Sequence, residues 1–321
     1  MSRRERRLEA RKLLSDKPEQ THAPRSHGKI AKFFDAHYHA LQLIPLLILL
    51  AAIGYNIAFS VQHGDFVRKG VSLAGGTSVT VSTVEQVSVR ELEEKLASKF
   101  PDADVAVRIL KSGATQTGVL IEASNIGSDA VTGESSLVAY LRTEFPGASL
   151  SVETTGPSLG EAFFVQVLYA VLAAFVLMAV VVFLSFRTFY PSMAVVFAGF
   201  STVVSTLAVF NLLGLSLSTA GVAAFLMLIG YSIDTDILLS TRVLRGSGTF
   251  IDNVWAAAKT GLMMQVTTAT AVTLVLIFSN NPVFTQIMTI ILIGMFFDVL
   301  YTWIQNAAIL KWYIERREAK R

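Results

Sequence analysis

Residues 217–239 read LSTAGVAAFLMLIGYSIDTDILL, an apolar stretch that carries two aspartates near its end, Asp234 and Asp236. A helix needs roughly 20 mostly apolar residues to cross a bilayer. Five further stretches meet this requirement, at about Ala40–Ser60, Ala162–Phe186, Tyr190–Leu213, Leu262–Ser279 and Val283–Tyr313. The sequence therefore predicts a polytopic α-helical membrane protein with six transmembrane helices, five of them in one bundle over residues 162–313.

The composition and motifs exclude most enzyme classes. Of the 321 residues 52% are apolar and only 16% are charged, whereas soluble proteins carry about 25% charged residues. The chain has no cysteine, which excludes disulfide frameworks and thiol nucleophiles. It contains no GxxxxGK[ST] or HExxH motif, and the surroundings of Asp298 do not match the GxGD pattern of intramembrane aspartyl proteases. The sequence gives no support for these kinds of catalysis, and we expect the protein to hold no cofactor or metal.

Basic residues lie mainly on one side of the predicted helices. Residues 1–39 hold ten Lys and Arg, residue 187 is an Arg, and three and five basic residues occur in 241–260 and 311–321. Residues 61–160 hold eight basic and twelve acidic residues. The positive-inside rule then predicts cytoplasmic termini, with basic tails at 1–39 and 314–321, and an extracytoplasmic domain at 61–160. We favour anionic lipid over nucleic acid as the partner of the tails, and an uncleaved anchor over a signal peptide for residues 40–60.

The predicted extracytoplasmic domain has an α+β pattern. Strand-like alternation occurs at 78–84, 104–110, 118–123 and 149–155, and helical spacing occurs at 88–100 and 137–145. The order βαββαβ predicts a ferredoxin-like sheet with two helices on one face.

Two glycine motifs flank this domain where the chain enters and leaves it. Gly75-Gly76-Thr77 precedes the first strand, and Gly156-Pro157-Ser158-Leu159-Gly160 follows the last. Glycine allows the sharp backbone turns that such junctions need. Simple turns and a mobile joint that lets the domain swing are both compatible with these motifs.

Apart from Lys311, two residues before the end of the sixth predicted span, only three charged residues fall inside the predicted spans, and all are acids: Asp234, Asp236 and Asp298. Intramembrane acids are costly and are usually paired or functional, and no Lys, Arg or His lies deep within a predicted span. Polar residues at similar depth predict a supporting cluster of Tyr231, Ser232, Gln265, Thr267, Thr268 and Tyr301. Asp234 and Asp236 are two residues apart, about 200° around a helix, so we expect one to face the cluster and the other an interface.

Three interpretations of the acids remain open. They form a proton or cation relay, they join helices through hydrogen bonds worth about 0.6 kcal/mol each, or they pair with a basic residue of another subunit.

Three motifs, in this order, resemble the SecF family of protein-export membrane proteins, relatives of the RND superfamily. They are GVSLAGGT at 70–77, GPSLG at 156–160, and IGYSIDTD at 229–236, which continues to Arg242 at the membrane face. The Asp-Thr-Asp order and the end of the sixth span resemble the archaeal type. Bacterial members instead have Asn-Asp-Thr, and an arginine near the start of the fifth span, where this chain reads TGLMMQ at 260–265.

The resemblance implies a non-enzymatic accessory subunit of the Sec translocase. Such a subunit pairs with SecD, acts beside the SecYE channel, engages unfolded preprotein outside the membrane, and couples export to proton flow through Asp234 or Asp236. The missing base places the countercharge on SecD or implies a different coupling. The alternatives are an RND-like exporter of lipids or small molecules, and a passive scaffold of a membrane complex.

Overall fold

A computed structural model describes residues 37–38, 40–83, 87–101, 103–112, 115–124, 136–279 and 281–319. The predicted basic tail at 1–39 lies outside this part of the chain, except for His37 and Tyr38. Six helices within it are long and apolar enough to cross a membrane. They are α1 (Leu43–His63), α5 (Pro157–Phe186), α6 (Phe189–Leu212), α7 (Thr219–Arg245), α8 (Phe250–Phe278) and α9 (Pro282–Leu300), which continues through a π-helical segment (Tyr301–Asn306) into α10 (Ala307–Glu318).

Local capping determines where two of the spanning helices begin. The Ser218 hydroxyl accepts the Gly221 N–H at the start of α7. Thr249 and Asp252 form a capping box at the start of α8, which satisfies backbone N–H groups that have no partner within a helix. Helix α8 therefore begins at Phe250, twelve residues before the predicted Leu262, and its first turns precede the apolar stretch.

The α+β domain between α1 and α5 has ferredoxin-like topology. It comprises a short helix α2 (Val71–Ala74), then β1 (Gly76–Ser82), α3 (Val89–Lys99), β2 (Asp104–Ser112), β3 (Thr115–Ser124), α4 (Ser136–Glu144) and β4 (Ser149–Thr155). The strand order is β2-β3-β1-β4, and every neighbouring pair is antiparallel. Helices α3 and α4 cover one face through buried apolar residues that include Val79, Leu96, Ile121 and Leu141. The predicted fold class is confirmed.

The other face of the sheet lies on the connection between α6 and α7, residues 213–218. Leu217 accepts the Gly70 N–H at 2.7 Å and donates its own N–H to the Arg68 carbonyl at 2.7 Å. The Ser216 hydroxyl donates to Glu122 at 2.5 Å, and the Arg108 guanidinium donates to the Gly214 carbonyl at 2.9 Å. The α+β domain therefore rests on the loop that leads directly into α7.

The two glycine motifs meet at the junction of domain and bundle. Gly75 and Gly76 have φ values of +83° and +134°, which disfavour residues with a side chain. A Cβ atom placed on Gly160 would lie 2.6 Å from the Gly75 backbone nitrogen. Gly156 precedes α5, and Pro157 occupies the first turn of that helix, where its missing N–H costs nothing.

Candidate functional site

Asp298, on α9, is fully buried and accepts hydrogen bonds from three spanning segments. On α7, Ser232 donates to its Oδ1, and Thr235 donates to Oδ2 at 2.9 Å. The Gln265 amide of α8 also donates to Oδ2, at 2.7 Å. Thr302 of the π-helical segment completes this Asp298 cluster with a longer contact of 3.4 Å to Oδ1. One carboxyl group thus joins the helices that surround it.

Helical spacing explains how these donors converge. Ser232 and Thr235 are three residues apart and therefore share one face of α7. Gln265 is oriented by Trp303, whose indole N–H donates to the amide oxygen at 3.4 Å. A Cβ atom on Gly261 would lie 2.4 Å from the Trp303 ring, so the glycine one turn before Gln265 makes room for the indole.

Asp236 forms a second buried cluster with Ser240 and Asn306. Asn306 donates its amide to Asp236 Oδ1 at 2.7 Å. The other carboxyl oxygen, the Ser240 hydroxyl and the Asn306 carbonyl oxygen have no hydrogen-bond partner among the described residues, although all are buried. Buried oxygens of this kind are commonly hydrated. The Asp236 cluster therefore has acceptor capacity that protein groups leave unused.

The π-helical segment brings the two clusters into contact. A π turn contains more residues than an α turn and often occurs at functional sites. Thr302 and Asn306 are four residues apart in this segment and both face the aspartates, since Thr302 contacts Asp298 and Asn306 binds Asp236. The Thr302 side chain interacts with both aspartates, which also interact with each other electrostatically. A continuous polar path consequently runs from Gln265 through the two carboxyl groups to Asn306.

No base or metal-binding group accompanies this path within the described part of the chain. Neither Asp236 nor Asp298 has a Lys, Arg or His within ion-pair distance there, and those residues contain no group of three acidic, His or Cys side chains that could hold a metal ion. The chemistry available to the site is hydrogen bonding and proton exchange at carboxyl groups.

The structure places the remaining predicted site residues outside the clusters. Asp234 is exposed on the outer surface of α7, and Thr267 is exposed and bonded to the Met263 carbonyl of its own helix at 2.8 Å. Tyr231 lies near Thr268, yet its hydroxyl forms no hydrogen bond of ordinary length.

Tyr301 and Arg242 also lie apart from the two aspartates. Tyr301, the first residue of the π-helical segment, is buried against α6, where its hydroxyl lies 2.6 Å from the Ser205 hydroxyl, and its ring stacks on Phe297. Arg242 is exposed near the end of α7. The predicted cluster is therefore reduced to Ser232, Gln265 and the acids Asp236 and Asp298.

Four contributors were absent from the predicted set: Thr235, Thr302, Trp303 and Asn306. Spacing gives a partial signal, since Thr302 follows Asp298 by four residues and Asn306 follows by eight. Both positions lie on the side of the helix that carries Asp298, but the spacing does not show that Asn306 meets Asp236 of α7.

Comparisons with known proteins agree with the architecture. Residues 139–316 match the family model described as Protein export membrane protein SecD/SecF, C-terminal. The protein-export membrane protein SecF of Pyrococcus furiosus is 38% identical over 280 residues, which cover 87% of this chain and 92% of that one. The SecF of Methanolacinia petrolearia is 36% identical over 281 residues, covering 85% of this chain and 93% of that one.

The crystal structure of SecDF, a translocon-associated membrane protein from Thermus thermophilus, has the same fold. The TM-score is 0.70 at 21% sequence identity, over 90% of this chain. This chain spans 39% of the SecDF chain, so it corresponds to a part of that longer protein. With the family model covering more than half of its residues and the relatives matching along most of its length, the chain belongs to the SecF family of protein-export membrane proteins.

Proposed function

We propose that this chain is a non-enzymatic accessory subunit of the Sec translocase that promotes preprotein export by coupling it to proton movement. In this proposal it lies in the cytoplasmic membrane with both termini in the cytoplasm, pairs with SecD, and acts beside the SecYE channel. The observation that carries the proposal is the pair of buried carboxyl clusters at Asp298 and Asp236, which link α7, α8 and α9 and contain no base. Intramembrane acids in such positions characterise proton relays.

Proton uptake would alter the contacts between these helices. An ionised carboxylate only accepts hydrogen bonds, whereas a protonated carboxyl group also donates one. Both oxygens of Asp298 already face donors from Ser232, Thr235 and Gln265. A proton on either oxygen opposes at least one of these donors, so α7 or α8 must shift or a side chain must rotate. Asp236, with one unpartnered oxygen, can take a proton without such a conflict.

The same helix carries this change to the α+β domain. Helix α7 bears Ser232, Thr235 and Asp236, and it begins next to the Ser216 and Gly214 contacts that hold Glu122 and Arg108. A hydrogen bond to a charged group contributes about 1.5–3 kcal/mol, and one proton crossing 100 mV releases about 2.3 kcal/mol. The two quantities are comparable. A single proton is therefore sufficient to release one docking contact and let the domain act on emerging preprotein.

Export by reconstituted vesicles tests the proposal. Vesicles would contain SecYE, SecD and this chain, and export of a preprotein would be measured with and without an imposed membrane potential. We expect the double variant Asp236→Asn with Asp298→Asn to lose the potential-dependent part of export. Asp234→Asn, the same chemical change at an exposed position of the same helix, is the matched control and should export like the unmodified chain.

Co-purification with SecD separates loss of coupling from loss of assembly. The double variant should still co-purify with SecD, because asparagine preserves side-chain size and resembles the uncharged, protonated carboxyl group in presenting one acceptor and one donor. Unchanged potential dependence in a double variant that still assembles would show that the acids only join helices.

A further inference from the structure

An apolar groove runs along the membrane face of α5, α6 and α7. Its volume is about 830 Å³, and its lining is almost entirely apolar. Six of the lining side chains are Phe164, Leu168, Phe175, Phe197, Phe200 and Phe225. Leu168 and Phe200 are each 42% exposed, so the groove opens toward the hydrocarbon region of the bilayer.

The groove is at least as deep as one leaflet. On α5 the lining extends from Phe164 to Phe175, eleven residues that rise about 16 Å along a helix, and on α6 it extends from Leu207 to Met193, fourteen residues that rise about 21 Å. Half of the hydrocarbon core of a bilayer is about 15 Å thick. The groove therefore extends from the membrane surface on the side of the α+β domain past the middle of the bilayer.

Basic side chains lie at the end of the groove nearest the α+β domain. The Lys69 ammonium is 4.0 Å from the centre of the Phe164 ring, and Phe66, which also lines the groove, packs against the same ring at 5.6 Å. Lys69 pairs with Asp65 at 2.8 Å. Arg68, the neighbouring residue, has no ion pair with any carboxylate among the described residues.

Arg68 lines an adjacent polar cavity of about 420 Å³ in which cations outnumber acids. Its charged and titratable lining residues are His63, Asp65, Arg68, Lys69, Arg108 and Glu122. Burial lowers the pKa of the Arg108 guanidinium and the nearby Arg68 charge lowers it further, whereas Glu122, 3.8 Å away, raises it. Since Glu122 is also bound by Ser216, the cavity has unmatched positive charge beside the end of an apolar groove.

We propose that this chain binds a phospholipid from the leaflet on the side of the α+β domain. The phosphate lies at Arg68 and Lys69, and one acyl chain fills the groove between α5, α6 and α7. Charge complementarity at one end and a leaflet-deep apolar surface at the other select a molecule with both chemistries. This site is separate from the carboxyl clusters and does not depend on the proposed coupling to protons.

Native mass spectrometry of the delipidated full chain tests the site. The probes are dioleoylphosphatidylglycerol, uncharged dioleoylglycerol and soluble glycerol phosphate. We expect the phospholipid to bind at one saturable site and the other two to bind weakly, because each lacks one of the two recognised groups. Equal binding of dioleoylglycerol would overturn the assignment of the phosphate, and tight binding of glycerol phosphate would identify a free-anion site instead.

Variants locate the bound lipid. A basic residue near an anionic lipid contributes about fivefold in affinity, so the double variant Arg68→Gln with Lys69→Gln should bind about 25-fold more weakly. The matched control is Arg90→Gln with Lys99→Gln, which removes equal charge from the α+β domain, including a lysine 4.4 Å from the Tyr140 ring. Leu168→Trp should block the groove, whereas Leu177→Trp, 64% exposed on α5 but outside the groove, should not.

Two outcomes contradict the proposal. Equal lipid affinity for the site variants and their controls would mean that only the general lipid annulus was observed. Loss of the bound lipid when SecD is present would show that the groove is a contact surface for a partner helix.

Discussion

Asp298 and Asp236 are both completely buried between the same helices, yet their surroundings differ. Both oxygens of Asp298 are occupied by hydroxyl and amide donors. Asp236 has one amide donor, and its second oxygen has no hydrogen-bond partner among the described residues. A fully bonded carboxyl group holds helices together, whereas a partly bonded one retains room for a proton or water. The difference points to Asp298 as the main structural connection, whose protonation would shift the helices, and to Asp236 as the group that can hold a proton without moving them.

Asp298→Ala should have the largest effect on stability. It removes the acceptor of four hydrogen bonds, each worth about 0.6 kcal/mol in a membrane protein, and leaves buried donors unpaired. We expect a loss of about 2–3 kcal/mol in the free energy of unfolding, measured by titration with sodium dodecyl sulfate in mixed micelles. A loss no greater than that of Asp236→Ala would remove the distinction between the two acids.

Gln265→Leu should reduce the free energy of unfolding by a smaller amount, because it weakens the Asp298 cluster without removing the acid. It eliminates the amide donor to Asp298 and the acceptor for Trp303, so we expect a loss of about 1 kcal/mol. Quenching of tryptophan fluorescence by a lipid-phase quencher would also increase as the indole loses its partner. Thr267→Val, on the exposed face of the same helix, serves as the control and should leave both measurements unchanged.

Asp236→Ala should destabilise the chain by about 0.6 kcal/mol, because it breaks a single hydrogen bond. The same micelle titration gives this value, and the ratio to Asp298→Ala measures the asymmetry directly. Export assays should show the importance of Asp236 that unfolding does not. Asp236→Asn alone is expected to reduce potential-dependent export, although it barely affects the free energy of unfolding. A variant with normal export would transfer the coupling role to Asp298.

Asp234→Ala should produce the smallest change, within about 0.5 kcal/mol of the unmodified chain, as is usual for an exposed position. Its effect on binding to SecD is the informative measurement. A tenfold or greater loss of SecD binding, corresponding to about 1.4 kcal/mol, would show that a basic residue of the partner pairs with this acid. Unaltered binding would leave Asp234 without a role in assembly.

Much of the architecture follows from the sequence because its signals are local. Apolar stretches of spanning length identify six helices, and the alternation in residues 61–160 identifies the ferredoxin-like sheet. The start of α8 is less apparent from hydropathy alone, since residues 250–261 are more polar than the span that follows, although the Thr249 and Asp252 capping pair marks it.

The site is only partly predictable for a different reason. Asp236 and Asp298 can be identified because they are acids within apolar stretches. Ser232 and Gln265 can be identified because they are polar residues predicted to lie at a similar depth in the membrane. A period of 3.6 residues places Tyr301, Thr302 and Asn306 on the broad side of the helix that carries Asp298. The sequence does not show which neighbouring helix each side chain meets. In the structure Tyr301 contacts Ser205 of α6, whereas Asn306 binds Asp236 of α7.

The glycine motifs and the α6–α7 connection together define which part of the chain is able to rotate as a body. Helix α2 is fastened to the bundle by the Gly70 and Leu217 backbone pair and by the Thr219 N–H on Ser72. Helix α2 would therefore remain attached to the bundle if the sheet rotated at Gly75. The chain returns to the bundle at Gly160, which lies directly against Gly75. The two connections between the α+β domain and the bundle are therefore side by side and define one hinge axis. Rotation about that hinge axis would separate Glu122 and Arg108 from the α6–α7 connection while leaving every spanning helix in place.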